Sequence, residues 1–159
     1  MINMRGSVSS GQGVVNRIRQ MQQRLSQNKE VAVGLPADSG NHPDGMSLVL
    51  LGAIHEFGAP KAGIPERSFL RVPLRSAQDE LAKVFKQLMK QVAAGDITFD
   101  QALNQLGAKG ASISQEAIAE GINPPNKPAT VARKGSSKPL IDTGTLRQAI
   151  TWVVRDKGL

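Results

Sequence analysis

The sequence predicts a small α+β domain in which an antiparallel sheet is packed by several helices. Two β-prone runs lie near opposite ends of the chain, at residues 31–35 and 149–155, and the second contains the only tryptophan. Between them, apolar residues recur every three to four positions, the spacing of amphipathic helices. A strand so late in the chain must pair with a strand earlier in the sequence. We therefore predict that the two runs form one sheet joining both ends of the chain.

The helical segments follow from apolar spacing and from residues that start or stop helices. We predict helices over residues 13–28, 46–57, 73–94 and 98–120. Apolar side chains cover most of the circumference of the second helix, so we expect it to be buried. Thr98 and Gln101 have the spacing of a capping box. The short link at residues 94–97 makes the last two helices a long antiparallel αα-hairpin.

We predict that all 159 residues form one domain, in which two segments lie outside the helix-and-sheet body. Residues 1–12 are rich in Gly and Ser, and we expect a flexible N-terminus. Residues 121–139 hold four Pro, two Gly and four basic residues with no acid, so we predict an extended basic arm. The basic residues of this arm are Lys127, Arg133, Lys134 and Lys138.

Composition limits the possible functions. The absence of Cys excludes a disulfide framework and a thiolate metal site, and it fits synthesis in a reducing cytoplasm. The longest apolar run is far short of the roughly 20 residues that span a bilayer, so no membrane partner is expected. The N-terminus also lacks the apolar region of a signal peptide. The net charge of +7 favours an acidic partner, either nucleic acid or an acidic protein surface.

No group of residues has the spacing of a catalytic or ligand-binding site. His55 and Glu56 are adjacent, so on a helix they do not share a face, and His42 is the only other histidine. The tripeptide at residues 142–144, Asp-Thr-Gly, matches that of aspartic proteases but occurs once, and it predicts a plain turn. We expect no enzymatic activity, no cofactor and no bound metal.

Three sequence blocks, taken in order and spacing, resemble a known family. They are AIHEFG at residues 53–58, IPERSFLR at 64–71 and LIDTGTLR at 140–147. This set is similar to the tail-completion or neck proteins of long-tailed bacteriophages, often described as virion morphogenesis or minor tail proteins. The stretches NPP at 123–125 and ATVARKGSSKP at 129–139 also resemble that family. The similarity covers roughly residues 30–155 and leaves the first helix unassigned.

The resemblance implies a structural role in the virion. Such proteins have an α+β fold and form a ring at the head-proximal end of the tail, where they complete the tail and join the head. The implied partners are further copies of the chain, six by tail symmetry, together with tail terminator, tail tube and head connector or adaptor proteins. DNA passes through the lumen of such a ring and can contact it non-specifically.

Candidate assembly residues fall into two groups, and a third group forms a turn. Glu66, Arg67, Phe69 and Arg71 precede the long helix, and the four basic residues of the arm suit an acidic neighbour or lumen DNA. We expect Asp142, Thr143 and Gly144 to form the turn that sets the direction of the last strand.

Simpler alternatives remain open for these residues. Phe69 also suits a core position, Glu66 and Arg67 also suit a local ion pair, and the arm also suits a solvated loop. For the whole protein, the alternatives are a head-side connector or adaptor subunit and a basic nucleic-acid-binding accessory protein.

Overall fold

The structure is a computed structural model that describes residues 7–134 and 144–158. Within these residues the chain forms helices and one two-stranded antiparallel sheet, which confirms the predicted α+β class. In chain order the elements are α1 (Ser7–Leu25), β1 (Lys29–Gly34), α2 (Leu48–Phe57), α3 (Arg71–Ser76), α4 (Gln78–Ala94), α5 (Phe99–Glu120), α6 (Pro128–Lys134), α7 (Thr145–Ala149) and β2 (Thr151–Asp156).

The sheet joins the two ends of the chain as predicted. Val31 lies opposite Val154, and Val33 lies opposite Trp152. This face of the sheet packs on α5, where Gly107 leaves room for the Trp152 ring and the Val31 side chain. A Cβ atom at Gly107 would overlap that ring. The side chains of the sheet therefore fill the space that this glycine provides.

The αα-hairpin of α4 and α5 is also confirmed. Thr98 accepts a hydrogen bond from the Gln101 N–H, and the Gln101 side chain accepts one from the Thr98 N–H, which completes the predicted capping box. The predicted long helix from Pro73 is interrupted, because α3 ends at Ser76 and α4 begins at Gln78.

Buried apolar residues form two clusters, one at the second half of α5 and one at its first turns. The first contains Phe69, Ala111, Ile118, Leu146 and Ile150. The second contains Leu88, Val92, Phe99, Ala102 and Leu103. Helix α5 contributes to both clusters, so it is the central element against which the sheet, α3, α4 and α7 pack.

Two helices include residues of the segments that we predicted to lie outside the helix-and-sheet body. Helix α1 begins at Ser7, inside the segment that we expected to be flexible. Helix α6 occupies residues 128–134 of the predicted extended arm. Pro128 is the first residue of α6, a position where its fixed φ favours a helix and its missing N–H costs nothing. The composition of this segment therefore did not reveal its short helix. Residues 135–139 of the predicted arm lie outside the described residues.

The predicted burial of α2 is wrong on one face. Leu48, Gly52 and Glu56 are buried, whereas Leu50 and Phe57 are 54% and 62% exposed. The helix thus buries its only carboxylate and presents apolar side chains outward. Among the described residues, no helix has both the length and the apolar character to cross a membrane.

Candidate functional site

The carboxylate of Glu56 is the centre of a hydrogen-bonded junction between α2 and α3. Glu56 is only 4% exposed. Its Oε1 atom accepts hydrogen bonds from Ser68 Oγ at 2.7 Å and from the Arg71 N–H at 3.0 Å. Its Oε2 atom accepts from the N–H groups of Phe69 at 2.9 Å and Leu70 at 3.0 Å. These donors lie at the start of α3, where backbone N–H groups lack intrahelical partners.

The hydrogen bonds that Glu56 accepts favour its ionised form, whereas its burial opposes ionisation. Burial acts to raise the pKa of Glu56, because it disfavours the charged form. The hydrogen bonds from Ser68 and from the backbone of Arg71, Leu70 and Phe69 act in the opposite direction, and the net effect is a pKa below the ordinary value. Glu56 is therefore a charged structural acceptor at neutral pH.

Arg71 extends the junction to the surface. Its Nε atom donates to Glu56 Oε1 at 3.0 Å, and its Nη2 atom donates to Glu66 Oε1 at 2.8 Å. The guanidinium also lies 4.8 Å from the centroid of the Phe57 ring, within the range of a cation–π contact. Glu66 thus pairs with Arg71, and the alternative of a Glu66–Arg67 pair is wrong.

Arg67 connects the junction to the segment that follows α5. It is 7% exposed and donates from Nε to the Pro124 carbonyl at 2.8 Å and from Nη2 to the Pro125 carbonyl at 3.3 Å. Its own N–H donates to the His55 carbonyl at 2.7 Å. Arg67 and the fully buried Phe69 therefore stabilise a single subunit, so neither is available as an assembly contact.

The described parts of the three blocks behind the family resemblance meet in space. Gly58 adopts a φ of 73°, and a Cβ there would lie 2.8 Å from the Glu66 nitrogen, so the first two blocks require glycine at this position. In the third block, Leu146 packs in the same core cluster as Phe69. Segments far apart in the sequence thus form one structural unit, which we call the Glu56 junction: residues 53–58, 64–71 and 144–147.

The other predicted site residues are separate from this junction or outside the described part of the chain. Lys127 is exposed just before α6. Arg133 and Lys134 end the backbone of α6, but their side chains lie outside the described part, as do residues Lys138, Asp142 and Thr143 altogether. Gly144 precedes α7 with a φ of 74°, which fits the predicted turn.

An apolar groove lies beside the Glu56 junction. It has a volume of about 400 Å³, and Glu56 and Arg71 contribute to its wall. The apolar side chains that line it are those of Val33, Leu35, Val49, Ala53, Phe57, Phe69, Leu70 and Leu74. We call this surface the α2 groove. Arg71 and Glu56 hold the end of α2 in place, and they thereby fix the position of one wall.

A second apolar surface lies on α1. Val14, Ile18, Met21 and Leu25 recur at helical spacing, and each is more than one-third exposed. We call these four residues the α1 stripe. Helix α1 packs on α4, and Arg24 Nη1 donates to the Ala93 carbonyl at 3.2 Å, but this contact leaves the stripe open to solvent.

The chemical groups of the described residues do not assemble into a metal site. No group of three or more His, Asp or Glu side chains comes together there in a way that could hold a metal ion. The arrangement instead provides a charged, hydrogen-bonded junction that positions one wall of the α2 groove.

Sequence reasoning missed the roles of Glu56 and of the exposed face of α2. One signal was available, because an acid within the apolar sequence LVLLGAIHEF must find donors if that face is buried.

Comparison with protein-family models, with curated proteins and with solved structures finds no match for this chain.

Proposed function

We propose that the chain is a structural subunit of a bacteriophage tail, in a ring at the head-proximal end that completes the tail and joins it to the head. The observation that carries this proposal is the convergence of the three resembling blocks on one structural unit. The first two blocks meet at the Glu56 carboxylate, and the third packs in the core cluster of the second through Leu146 and Phe69.

The exposed surfaces support a role in assembly. Leu50 and Phe57 on α2, Val72 on α3, and Val14 and Ile18 on α1 are each more than half exposed. Contiguous exposed apolar side chains mark interaction surfaces, and Val14 and Ile18 lie one helical turn apart on α1. Repetition of one contact between two different surfaces of the same chain closes a ring.

The charge of the chain supports a position around DNA. A net charge of +7 favours proximity to the phosphates of DNA that passes through a channel. Contact with packaged DNA in this role is electrostatic and independent of sequence, so no base-reading element is required.

Labelling of intact virions tests the proposed function. Antibodies against the purified chain, visualised with gold particles on negatively stained virions, are expected to bind at the junction of head and tail. Antibodies against the major capsid protein and the tail tip of the same phage serve as positional controls.

The outcomes separate the candidate functions. Gold at the neck supports the proposal. Absence of the chain from purified virions, combined with DNA binding that weakens steeply with salt in a gel shift, would instead support a nucleic-acid-binding accessory protein. Gold that remains on isolated heads after the tails are removed would place the chain on the head side, as a connector or adaptor subunit.

A further inference from the structure

We propose that the solvent-facing side of α4 binds the phosphates of double-stranded DNA through Lys83, Lys86 and Lys90. We call these three residues the α4 lysine face. This assignment rests on the proposed function, in which DNA passes through a ring, and it names the surface of the chain that contacts the DNA. The spacing, the exposure and the charged surroundings of the three lysines support it.

The three lysines share one side of α4. They lie at positions i, i+3 and i+7, and each of them is exposed. Lys86 and Lys90 each precede a buried residue, Leu88 or Val92, by two positions, which corresponds to a rotation of about 200° around the helix. The α4 lysine face is therefore opposite the side of α4 that packs in the core.

The lysines of this face have no ion pair among the described residues. Lys29 and Lys109, in contrast, pair with Asp100 at 2.6 Å and with Glu80 at 2.7 Å. The subunit thus neutralises some of its exposed ammonium groups and leaves those of the α4 lysine face to an outside anion.

Helix α1 adds positive charge beside this face. It packs on α4, and Arg24 donates to the carbonyl of Ala93, within one turn of Lys90. Arg17 lies seven residues before Arg24 and therefore on the same side of α1. The two arginines extend the basic surface from the C-terminal end of α4 onto α1.

Acidic residues are segregated from this surface. Helix α1 and residues 81–95 together carry six basic residues and no acidic one. The nearest acidic residues along the chain, Glu80 and Asp96, lie at the two ends of residues 81–95. A helix that only faces solvent is typically laced with charges of both signs. A single sign over two adjacent helices favours a polyanionic partner.

The residue types on α4 favour a duplex over a single strand. Lys83 and Lys90 are about 10 Å apart along the helix axis, which is the length of about three base-pair steps of DNA. Proteins that hold single strands stack the bases on aromatic side chains. Phe85, the aromatic residue of α4, lies two positions after Lys83 and hence on the other side of the helix.

Equilibrium binding to a short labelled duplex of mixed sequence, measured over a range of salt concentrations, tests this surface. The test protein is the full chain with Lys86→Glu and Lys90→Glu. The matched control carries Lys61→Glu and Lys157→Glu, at exposed positions outside α4. Each substitution lowers the net charge by two, so both double variants carry +3 in place of +7.

The wild-type chain is expected to bind the duplex more weakly as salt rises. In the test variant we expect a loss of affinity of at least about tenfold, and a plot of log affinity against log salt that is shallower by about two. The control variant should keep the wild-type slope and lose less than about threefold in affinity. Both variants should keep the wild-type circular dichroism spectrum, because all four lysines are exposed.

Equal losses in the two variants would overturn the assignment, because net charge alone would then account for binding. A wild-type chain that does not bind the duplex at low salt would overturn it as well. Polyglutamate is the competitor that represents an acidic protein surface. If it displaced the labelled duplex as effectively as unlabelled duplex does at equal charge, the partner would be an acidic protein and the DNA assignment would be wrong.

The DNA-binding result is independent of the virion label. A loss of binding confined to the test variant, with no label on virions, would leave the α4 lysine face as a DNA-binding surface and remove the proposed neck role. A label at the neck, with equal DNA binding by the wild-type chain and the test variant, would leave the neck role standing and remove the α4 lysine face.

Discussion

At the scale of single residues, Glu56 shows how a buried charge is retained. A carboxylate in an apolar surrounding costs several kcal/mol unless its oxygens find donors. Here four backbone and side-chain donors from residues 68–71, together with the Arg71 guanidinium, satisfy both oxygens. The charge thereby joins α2 to the start of α3, and it holds the α2 groove in shape.

Replacement of Glu56 by Gln tests this role. The amide keeps the size of the carboxylate but turns an NH2 group toward N–H donors that need an acceptor. We expect Glu56→Gln to lower the free energy of unfolding by about 3 kcal/mol. Urea denaturation followed by circular dichroism measures the change at equal protein concentrations.

Glu66→Gln is the matched control for this substitution. Glu66 also binds Arg71, but its side chain is 54% exposed. An exposed ion pair contributes at most about 1 kcal/mol. Similar losses of unfolding free energy in the two variants would contradict the central role of Glu56 in the junction.

The lowered pKa of Glu56 gives stability a pH dependence. Because the pKa is lower in the folded chain than in the unfolded chain, ionisation of Glu56 stabilises the fold above the unfolded value. This contribution is lost as the pH falls below about 4.3 and through the folded pKa. Between pH 7 and pH 3, we expect the wild-type urea midpoint to fall further than that of Glu56→Gln. An equal fall in both proteins would remove Glu56 as the source.

At the scale of elements, the contact between the sheet and α5 depends on Gly107. A Cβ at this position would overlap the Trp152 ring and lie 2.8 Å from Val31 Cγ2. Overpacking of this kind costs about 1–3 kcal/mol, against a gain in helix propensity of about 1 kcal/mol. We therefore expect Gly107→Ala to lower the melting temperature and to change the emission of the only tryptophan.

Gly13→Ala provides the comparison for this prediction. Gly13 lies in α1, and a methyl group added there would have no neighbouring atom within 4 Å, so only the propensity gain remains. The melting temperature of Gly13→Ala should stay the same or rise. If Gly107→Ala raised the melting temperature as much, the close packing of α5 on the sheet would be wrong.

Local patterns predicted the elements whose signals lie in neighbouring residues. The capping box at Thr98 and the apolar period of α4 and α5 specify the hairpin. The β-prone run around Trp152 had a single plausible partner, so the sheet could be predicted as well. The pairing of Glu66 with Arg71, in contrast, depends on where the turn after α2 places each side chain.

The exposed face of α2 could not be predicted from its sequence for a related reason. Apolar residues all around a helix indicate burial, but they do not tell whether the cover comes from the same chain. In the subunit, Leu48 and Gly52 face the core, whereas Leu50 and Phe57 do not. The sequence of α2 thus predicts burial all around the helix, whereas the subunit buries only one face.

At the scale of the whole molecule, the apolar surfaces and the family resemblance lead to the same expectation. A chain that exposes both a helical stripe and a groove is expected to bury them by association. The proposed self-association would join two different surfaces of the chain, and a head-to-tail contact of this kind either closes into a ring or continues as a filament. The proposed neck role requires the closed form.

The mass of the particle formed by the purified wild-type chain tests self-assembly most directly. Native mass spectrometry over a range of concentrations is expected to show one dominant assembly at a whole multiple of 16.9 kDa. Six copies would match the tail symmetry that the resemblance implies. A dominant 16.9 kDa species across the whole range would contradict assembly through these surfaces.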